Sequence, residues 1–398
     1  MIAAVPARDR EGTATMELLD TTLREGEQSY GVFFTIETKV RLARLIDAMG
    51  VDFLEVGHPS AAPSIRQAAA EIARLDLRAK RIGHARLEPW EIRAVRELGI
   101  PWVGLFSGIN ALCLKRYGLS RSDAFARIAR AVIYAKDLGL SVRFTCEDAS
   151  RTDSGDLAEL YGRLREKGVD RLSYADTVGI DTPGRLTALH RRIGSSIPFD
   201  RLHFHFHNDR GMALANAVKA EELGARCIDA SLLGLGERMG LVRLEDLLCR
   251  RAEGCGGKDR RNRALSEAIE LVASSIDLRR FLQRRFAHKS GIHIHGVLDA
   301  PRLYEHADPA QVGGRRLIVL SKLIGRSGLR LLLSQYGFRT NEAGLARLLE
   351  RIKGEDRLEL AEPREIIRYF EGCSECLRHD APAVRVGGSC LPEIAVPV

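Results

Sequence analysis

The chain is 398 residues long, 45% hydrophobic and 29% charged, ordinary globular composition for which disorder is not the default and which suffices for one large domain with a smaller appendage. Its formal charge of +8 comes from arginine, since only ten of its 61 basic residues are lysine; scattered along the chain, they argue against a nucleic-acid footprint, which clusters on one face. No apolar run reaches membrane-spanning length, residues 1–15 lack the apolar stretch of a signal peptide, and eight dispersed cysteines suit thiols in a reducing compartment, so a cytoplasmic protein is expected.

After a flexible start at 1–15, short β-branched runs alternate with longer amphipathic stretches from Met16 to Arg250, the pattern of repeated βα units around a parallel sheet. Strands are expected to end near Asp20, Val56, His84, Phe106, Glu147, Ala175, His207 and Leu233. Between the first two, Ile36, Val40, Ala43 and Ile46 recur at steps of four and three, predicting a helix that Gly50 stops. Eight such units in about 250 residues have the size of a (β/α)8 TIM barrel, whose active sites lie at the carboxyl ends of the strands. Polar residues gather there: Arg24 and Glu25, His58, His84 and Arg86, Glu147 and Asp148, Asp176 and Thr177, His207 to Asp209, and Glu237 and Arg238. A doubly wound sheet would collect them at one switch point instead.

Two of these stretches carry chemistry. Leu19 to Gln28 supplies carboxylates, an arginine and a glutamine in one turn after the first strand. The run Leu202-His203-Phe204-His205-Phe206-His207 alternates apolar residues with histidine, so His205 and His207 share a face of the seventh strand and converge as ligands for one metal. His203 lies deeper on that face and is expected to be a hydrogen-bonded core residue. Together the two stretches imply metal-assisted carbonyl chemistry.

The barrel is expected to fill 16–263, its last residues a linker. Residues 264–285 read as helix, with Arg279, Arg280, Arg284 and Arg285 on a solvated face. Phe286 to Gly296, with three histidines and two glycines, reads as a loop that delivers a side chain to a site. Residues 315–371 read as a small helical domain and 372–398 as a loosely ordered tail. Cys373 and Cys376, with His379 and Cys390 nearby, are read as unpaired thiols rather than a zinc knuckle, because a single CxxC lacks its partner pair.

Four motifs in one order carry a resemblance: Asp20-Thr21-Thr22-Leu23-Arg24-Glu25-Gly26-Glu27-Gln28, His205-Phe206-His207-Asn208-Asp209, Gly234-Leu235-Gly236-Glu237-Arg238-Met239-Gly240, and His288-Lys289-Ser290-Gly291-Ile292-His293. Over roughly 16–320 the chain resembles the acetyl-CoA-dependent 2-oxo acid condensing enzymes, the family of isopropylmalate and homocitrate synthases, and most closely its homocitrate synthases. The resemblance implies that Glu25, His205 and His207 hold a divalent cation (Mg, Mn, Zn or Co) that activates a ketone as a Lewis acid. It implies that Arg24 stabilises the oxyanion, that Gln28 assists at the ketone, and that His293 takes a proton from the acetyl-CoA methyl with Tyr304 as its partner. Arg143 and Thr145 would grip the distal carboxylate of 2-oxoglutarate, Thr177 the proximal one, and His84 would be a further polar pocket residue. In similar enzymes the His293 segment crosses to a neighbouring barrel, so a homodimer with shared sites is expected. His288 and His295 have no such match and are read as structural.

The expected reaction is a Claisen condensation of acetyl-CoA with a 2-oxo dicarboxylate, followed by hydrolysis of the CoA ester. Thr145 stands where the family has serine, the stretch at His84 to Leu87 is short, and Ser107 to Asn110 is unlike the family's loop. These departures leave open isopropylmalate, citramalate and phosphonomethylmalate synthesis, as well as a metal-dependent lyase on the same barrel. A basic binding protein that uses the barrel as scaffold is the reading from another class. An isopropylmalate synthase would carry a C-terminal regulatory domain for which the chain has no room.

Overall fold

The computed structural model describes residues 16–252 and 258–378. Eight parallel strands close into a barrel in chain order: β1 (Glu17–Asp20), β2 (Phe53–Gly57), β3 (Lys80–Ala85), β4 (Trp102–Ser107), β5 (Ser141–Cys146), β6 (Arg171–Asp176), β7 (Leu202–Phe206) and β8 (Cys227–Ala230), with β8 pairing back onto β1. Helices α1 (Ile36–Ala48), α2 (Pro63–Ala73), α3 (Pro89–Glu97), α4 (Ala111–Tyr117), α5 (Arg121–Asp137), α6 (Ser154–Glu166), α7 (Pro183–Ile193), α8 (Ala213–Glu222) and α9 (Leu244–Ala252) follow the strands. The expected TIM barrel is what the chain forms. Strands covered on both faces are mostly apolar, and β2 and β7 are buried at every position, Glu55, His203 and His205 included.

The predicted strand ends agree within one residue except the last. β8 stops at Ala230 because Ser231 donates its hydroxyl to the Leu235 carbonyl at 2.5 Å and Leu233 turns to a φ of 54°, which no strand accommodates. Helix α1 starts where Thr35 accepts the Thr38 N–H and ends two residues before Gly50, whose φ is 86°.

Beyond the barrel, helix α10 (Lys258–Ala273) packs on α1, beginning inside the expected linker and ending earlier than expected. Ser274 and Ser275 turn their hydroxyls back to the Leu271 carbonyl, and Asp277 opens a separate short turn, α11 (Leu278–Phe281). The stretch expected to be a loop contains helix α12 (Gly291–Asp299). Its glycines serve packing: a Cβ on Gly291 would meet the Leu323 carbonyl, and one on Gly296 the Tyr304 ring. Helices α13 (Arg326–Gln335), α14 (Glu342–Gly354) and α15 (Pro363–Glu371) build a second apolar core, joined by α12, with Leu329, Leu332, Leu348, Ile352, Ile366 and Phe370 at its centre.

The expected tail begins in order, since Leu377–Arg378 pairs with Phe338–Arg339, and Cys373 is packed in the second core. His379 and Cys390, like the N-terminal stretch, lie outside the described residues. Among the described residues no helix is long and apolar enough to cross a membrane.

The two cores meet over the carboxyl ends of the strands and border a half-open cavity of about 750 Å³. The loops after β1 to β7 supply one side; α12 and the segment Leu323–Gly328 cover the other.

Candidate active site

The cavity floor is a ring of charge. Arg24 donates through Nε to Glu55 at 2.7 Å and through Nη1 to Glu25, its neighbour in the turn. Glu55, fully buried on β2, also accepts from Thr21 at 2.5 Å and sits 3.4 Å from Arg143. Burial opposes its charge, but Arg24 and Arg143 hold its carboxyl far below the usual range. Arg143, on β5 and 1% exposed, donates further to Ser173 at 2.8 Å and to Asp229. Asp229, on β8, lies 3.0 Å from Nδ1 of His205.

This ring suits a divalent cation. A carboxylate on one imidazole nitrogen fixes ring and tautomer and leaves Nε2 as ligand, the arrangement Asp229 imposes on His205. His207, 5.2 Å from His205 between ring centres, is buried with no partner for its Nδ1, a cost that a ligand would relieve. Two guanidinium groups here face the three carboxylates of Glu25, Glu55 and Asp229, so the ring is short of positive charge. Glu25, His205 and His207 all line the cavity, but their donor atoms are not as closely gathered as those of Glu237, His288 and His293, which lie within 4.8 Å of one another. His203 differs from expectation. It is fully buried, yet neither ring nitrogen has a hydrogen-bond partner; Phe53 meets its ring edge-on at 5.5 Å, and Asp229 and Cys227 come within 4.8 Å without bonding it.

The polar residues expected to bind substrate line the same cavity: Gln28, His84, Arg143, Thr145 and Thr177. His84 stacks on Phe106 at 4.5 Å and is kept neutral by burial and by Arg24. Thr177 accepts the Asp148 N–H at 2.8 Å, which leaves its own hydroxyl proton to donate. Arg143 is already held by Glu55, Asp229 and Ser173, so its guanidinium is fixed before any ligand arrives.

The opposite wall is built around Glu237, a fully buried residue in the turn after β8. Its carboxylate accepts the N–H groups of Lys289 at 2.6 Å and Ser290 at 3.2 Å, which seats the start of α12 over the barrel. Burial, with Glu25 nearby, pushes its carboxyl up to about 8. Arg238, buried with φ 54°, grips Asp209 with both Nε (2.8 Å) and Nη2 (2.9 Å) and reaches the Thr177 carbonyl at 2.6 Å. Its Nη1 lies 3.3 Å from Nδ1 of His293, and Glu237 lies 3.8 Å from the same nitrogen. Burial, then Arg238, hold the His293 imidazole neutral. Tyr304 lies behind His293, ring on ring at 3.9 Å, and donates its hydroxyl to Glu147.

Ten of the eleven residues singled out in the sequence therefore line one cavity, and Tyr304 backs it through His293. Within this single chain the segment lies over its own barrel. His288 pairs with Glu305 at 3.1 Å in the interior, and His295 borders the cavity. Sequence reasoning assigned no role to Asp229, Glu147 or Glu237. Asp229, a carboxylate between Ile228 and Ala230 in an apolar strand, was the signal available for the first.

Residues 15–278 match the HMGL-like family and 283–357 the homocitrate synthase post-HMGL domain-like family. A homocitrate synthase of Pyrococcus horikoshii is 39% identical over 345 residues, covering 84% of this chain and 94% of that protein. One of Saccharolobus islandicus is 35% identical over 369 residues, covering 87% and 79%. Among solved structures, the Bacillus subtilis HMG-CoA lyase superposes with a TM-score of 0.59 at 20% identity, over 67% of this chain and 97% of that one, a likeness of fold. A barrel matching one family from its first strand to its last, followed by the segment matching the second, makes this chain a member of the HMGL-like family of the homocitrate synthase kind.

Proposed function

We propose that the protein condenses acetyl-CoA with 2-oxoglutarate and hydrolyses the resulting CoA ester, releasing CoA and homocitrate. The observation that carries this reading is that the buried Arg143, the group Glu25, His205 and His207, and the neutral His293 of the overlying helix all line one cavity. The relatives named homocitrate synthase support the choice of acids.

In this reading Glu25, His205 and His207 would hold a divalent cation, which supplies Lewis acidity toward the 2-oxo group. Arg24 and Gln28 face the ketone oxygen as it gains negative charge, where a fixed donor in a dry site is worth several-fold more than in water. Arg143 and Thr145 bind the distal carboxylate, Thr177 and His84 the remainder of the acid. His293, neutral and therefore able to accept a proton, takes it from the thioester methyl, and Tyr304 and Glu147 fix its ring.

The proposed homodimer with shared sites is compatible with these contacts, because exchange of an identical region between two copies preserves every one of them.

The test is CoA thiol release with 2-oxoglutarate, 2-oxoisovalerate, pyruvate, oxaloacetate and phosphonopyruvate in the presence of Mg, Mn, Zn or Co. Release is expected with 2-oxoglutarate first, lost with chelator and in Glu25→Gln and His293→Ala. Release with none of the five acids would refute the reading. Cleavage of a hydroxyacyl-CoA that survives His293→Ala would favour the lyase instead.

A further inference from the structure

Helix α4 has seven residues and is pinned at both ends. Asn110 accepts the Cys113 N–H at 3.0 Å and donates to Asp148 at 2.6 Å, and Gly118 closes the helix at φ 61°. From its last turn Arg116 reaches into the covering segment, with its side chain 6% exposed. Nη1 donates to the Tyr304 hydroxyl and Nη2 to the Ile292 carbonyl at 3.2 Å, while Glu147 lies 3.8 Å from Nη1. The guanidinium lies 5.5 Å from the Tyr304 ring centre and 5.2 Å from that of Tyr117.

Those contacts bracket the proposed base. Ile292 precedes His293 in α12, and Tyr304 is the ring stacked on His293. The remaining edge of Tyr304 is closed by Gly296, where any side chain would collide with the ring. One guanidinium thus fixes both the backbone before the imidazole and the ring behind it, from helix α4, outside the α12 segment.

We infer that Arg116 is a positioning residue for proton abstraction: by holding the Ile292 carbonyl and the Tyr304 hydroxyl together, it sets the His293 ring against the thioester methyl. This rests on the roles proposed above for His293 and Tyr304. Arg116 touches neither carboxylate site on the floor, so its loss acts on the methyl half of the reaction. An ammonium group has no planar fork, so lysine cannot meet both oxygens in the same geometry.

The test compares wild type with Arg116→Ala and Arg116→Lys under saturating cation, using acetyl-CoA and its trideuterated form. Expected for Arg116→Ala are a fall in kcat of about 100-fold, the cost of a base misplaced by about an ångström, a KM for the oxo acid within about twofold, and a larger deuterium isotope effect on CoA release. Added guanidinium ion at millimolar concentration should recover part of the rate. If Arg116→Ala does not fold, Arg116→Lys, checked by its melting temperature, should still lose about tenfold in kcat with the same rise in isotope effect. Wild-type kcat in Arg116→Lys, or a loss confined to the KM of the oxo acid, overturns the inference. A wild-type protein that releases no CoA with any oxo acid refutes the function instead, so the two failures are told apart.

Discussion

Single residues beneath this site are tuned by where they sit more than by what they are. Asp20 is fully buried at the end of β1 and accepts the N–H of Thr22 at 2.9 Å and its hydroxyl at 2.8 Å. Burial outweighs both bonds and pushes its carboxyl from 3.8 up to about 7. A group whose pKa is raised on folding stabilises the native state below its unfolded pKa and ceases to do so as pH climbs through the folded one. The urea midpoint of the wild type relative to Asp20→Asn is therefore expected to fall between pH 4 and pH 7, by up to about 4 kcal/mol in stability. A difference that stays flat over that window would show that Asp20 ionises normally. The residues the family motifs mark were legible in the sequence because a metal site needs donors of fixed kinds at fixed strand positions. The partners of Arg143 were not, since Glu55, Ser173 and Asp229 come from three other strands and meet it only when the barrel closes.

At the scale of elements, the strand ends were readable because mostly apolar runs give way there to polar loop residues; His205 and His207 share a face because successive strand side chains alternate. Helix α12 was hidden by its composition. Gly291 and Gly296 look like loop residues, whereas their task is to let the helix approach Leu323 and Tyr304. The turn after β8 shows how little freedom such pieces have. A Cβ on Gly240 would strike the Gly234 carbonyl, and its φ of 76° is already in the left-handed region. Because this turn aims Glu237 and Arg238, Gly240→Ala should lower stability by about 3 kcal/mol or more and kcat by about 100-fold. Gly313, with a similar φ of 65° and open space around it, is the control. Gly313→Ala should cost about 1 kcal/mol and leave the rate unchanged. Melting curves and CoA release on the two variants check the pair, and equal effects would show that left-handed strain, rather than the carbonyl collision, dominates.

For the whole molecule the question is what holds the second core over the barrel. Glu27, one residue before Gln28 in the first turn, is buried between Lys39 of α1 at 2.6 Å and Lys322 of the covering region at 3.1 Å. Burial disfavours its charge, but Lys39 and Lys322 prevail and hold its carboxyl down to about 2. A pKa lowered on folding contributes stability above the unfolded value and loses it as pH falls through the folded one. The advantage of wild type over Glu27→Gln is thus expected at pH 5 and above and should vanish toward pH 2, as read by chemical denaturation. The same covering region decides the assembly. If two copies exchange it, mixing inactive Glu25→Gln and His293→Ala proteins under conditions that allow subunits to reassort should restore activity, because one of the two hybrid sites is then intact. Silence in the mixture would mean that each chain completes its own site.

The seam between the two cores also imposes an order of arrival. The proposed grip on the oxo acid lies at the bottom of the cavity, with Arg143 locked among strands, whereas the proposed base hangs from the roof on α12. A thioester that docked first would stand between the acid and its seat, like a cork put in before the wine. The acid must therefore settle before the acyl carrier, and a non-reactive CoA thioether should bind more tightly once the acid is in place.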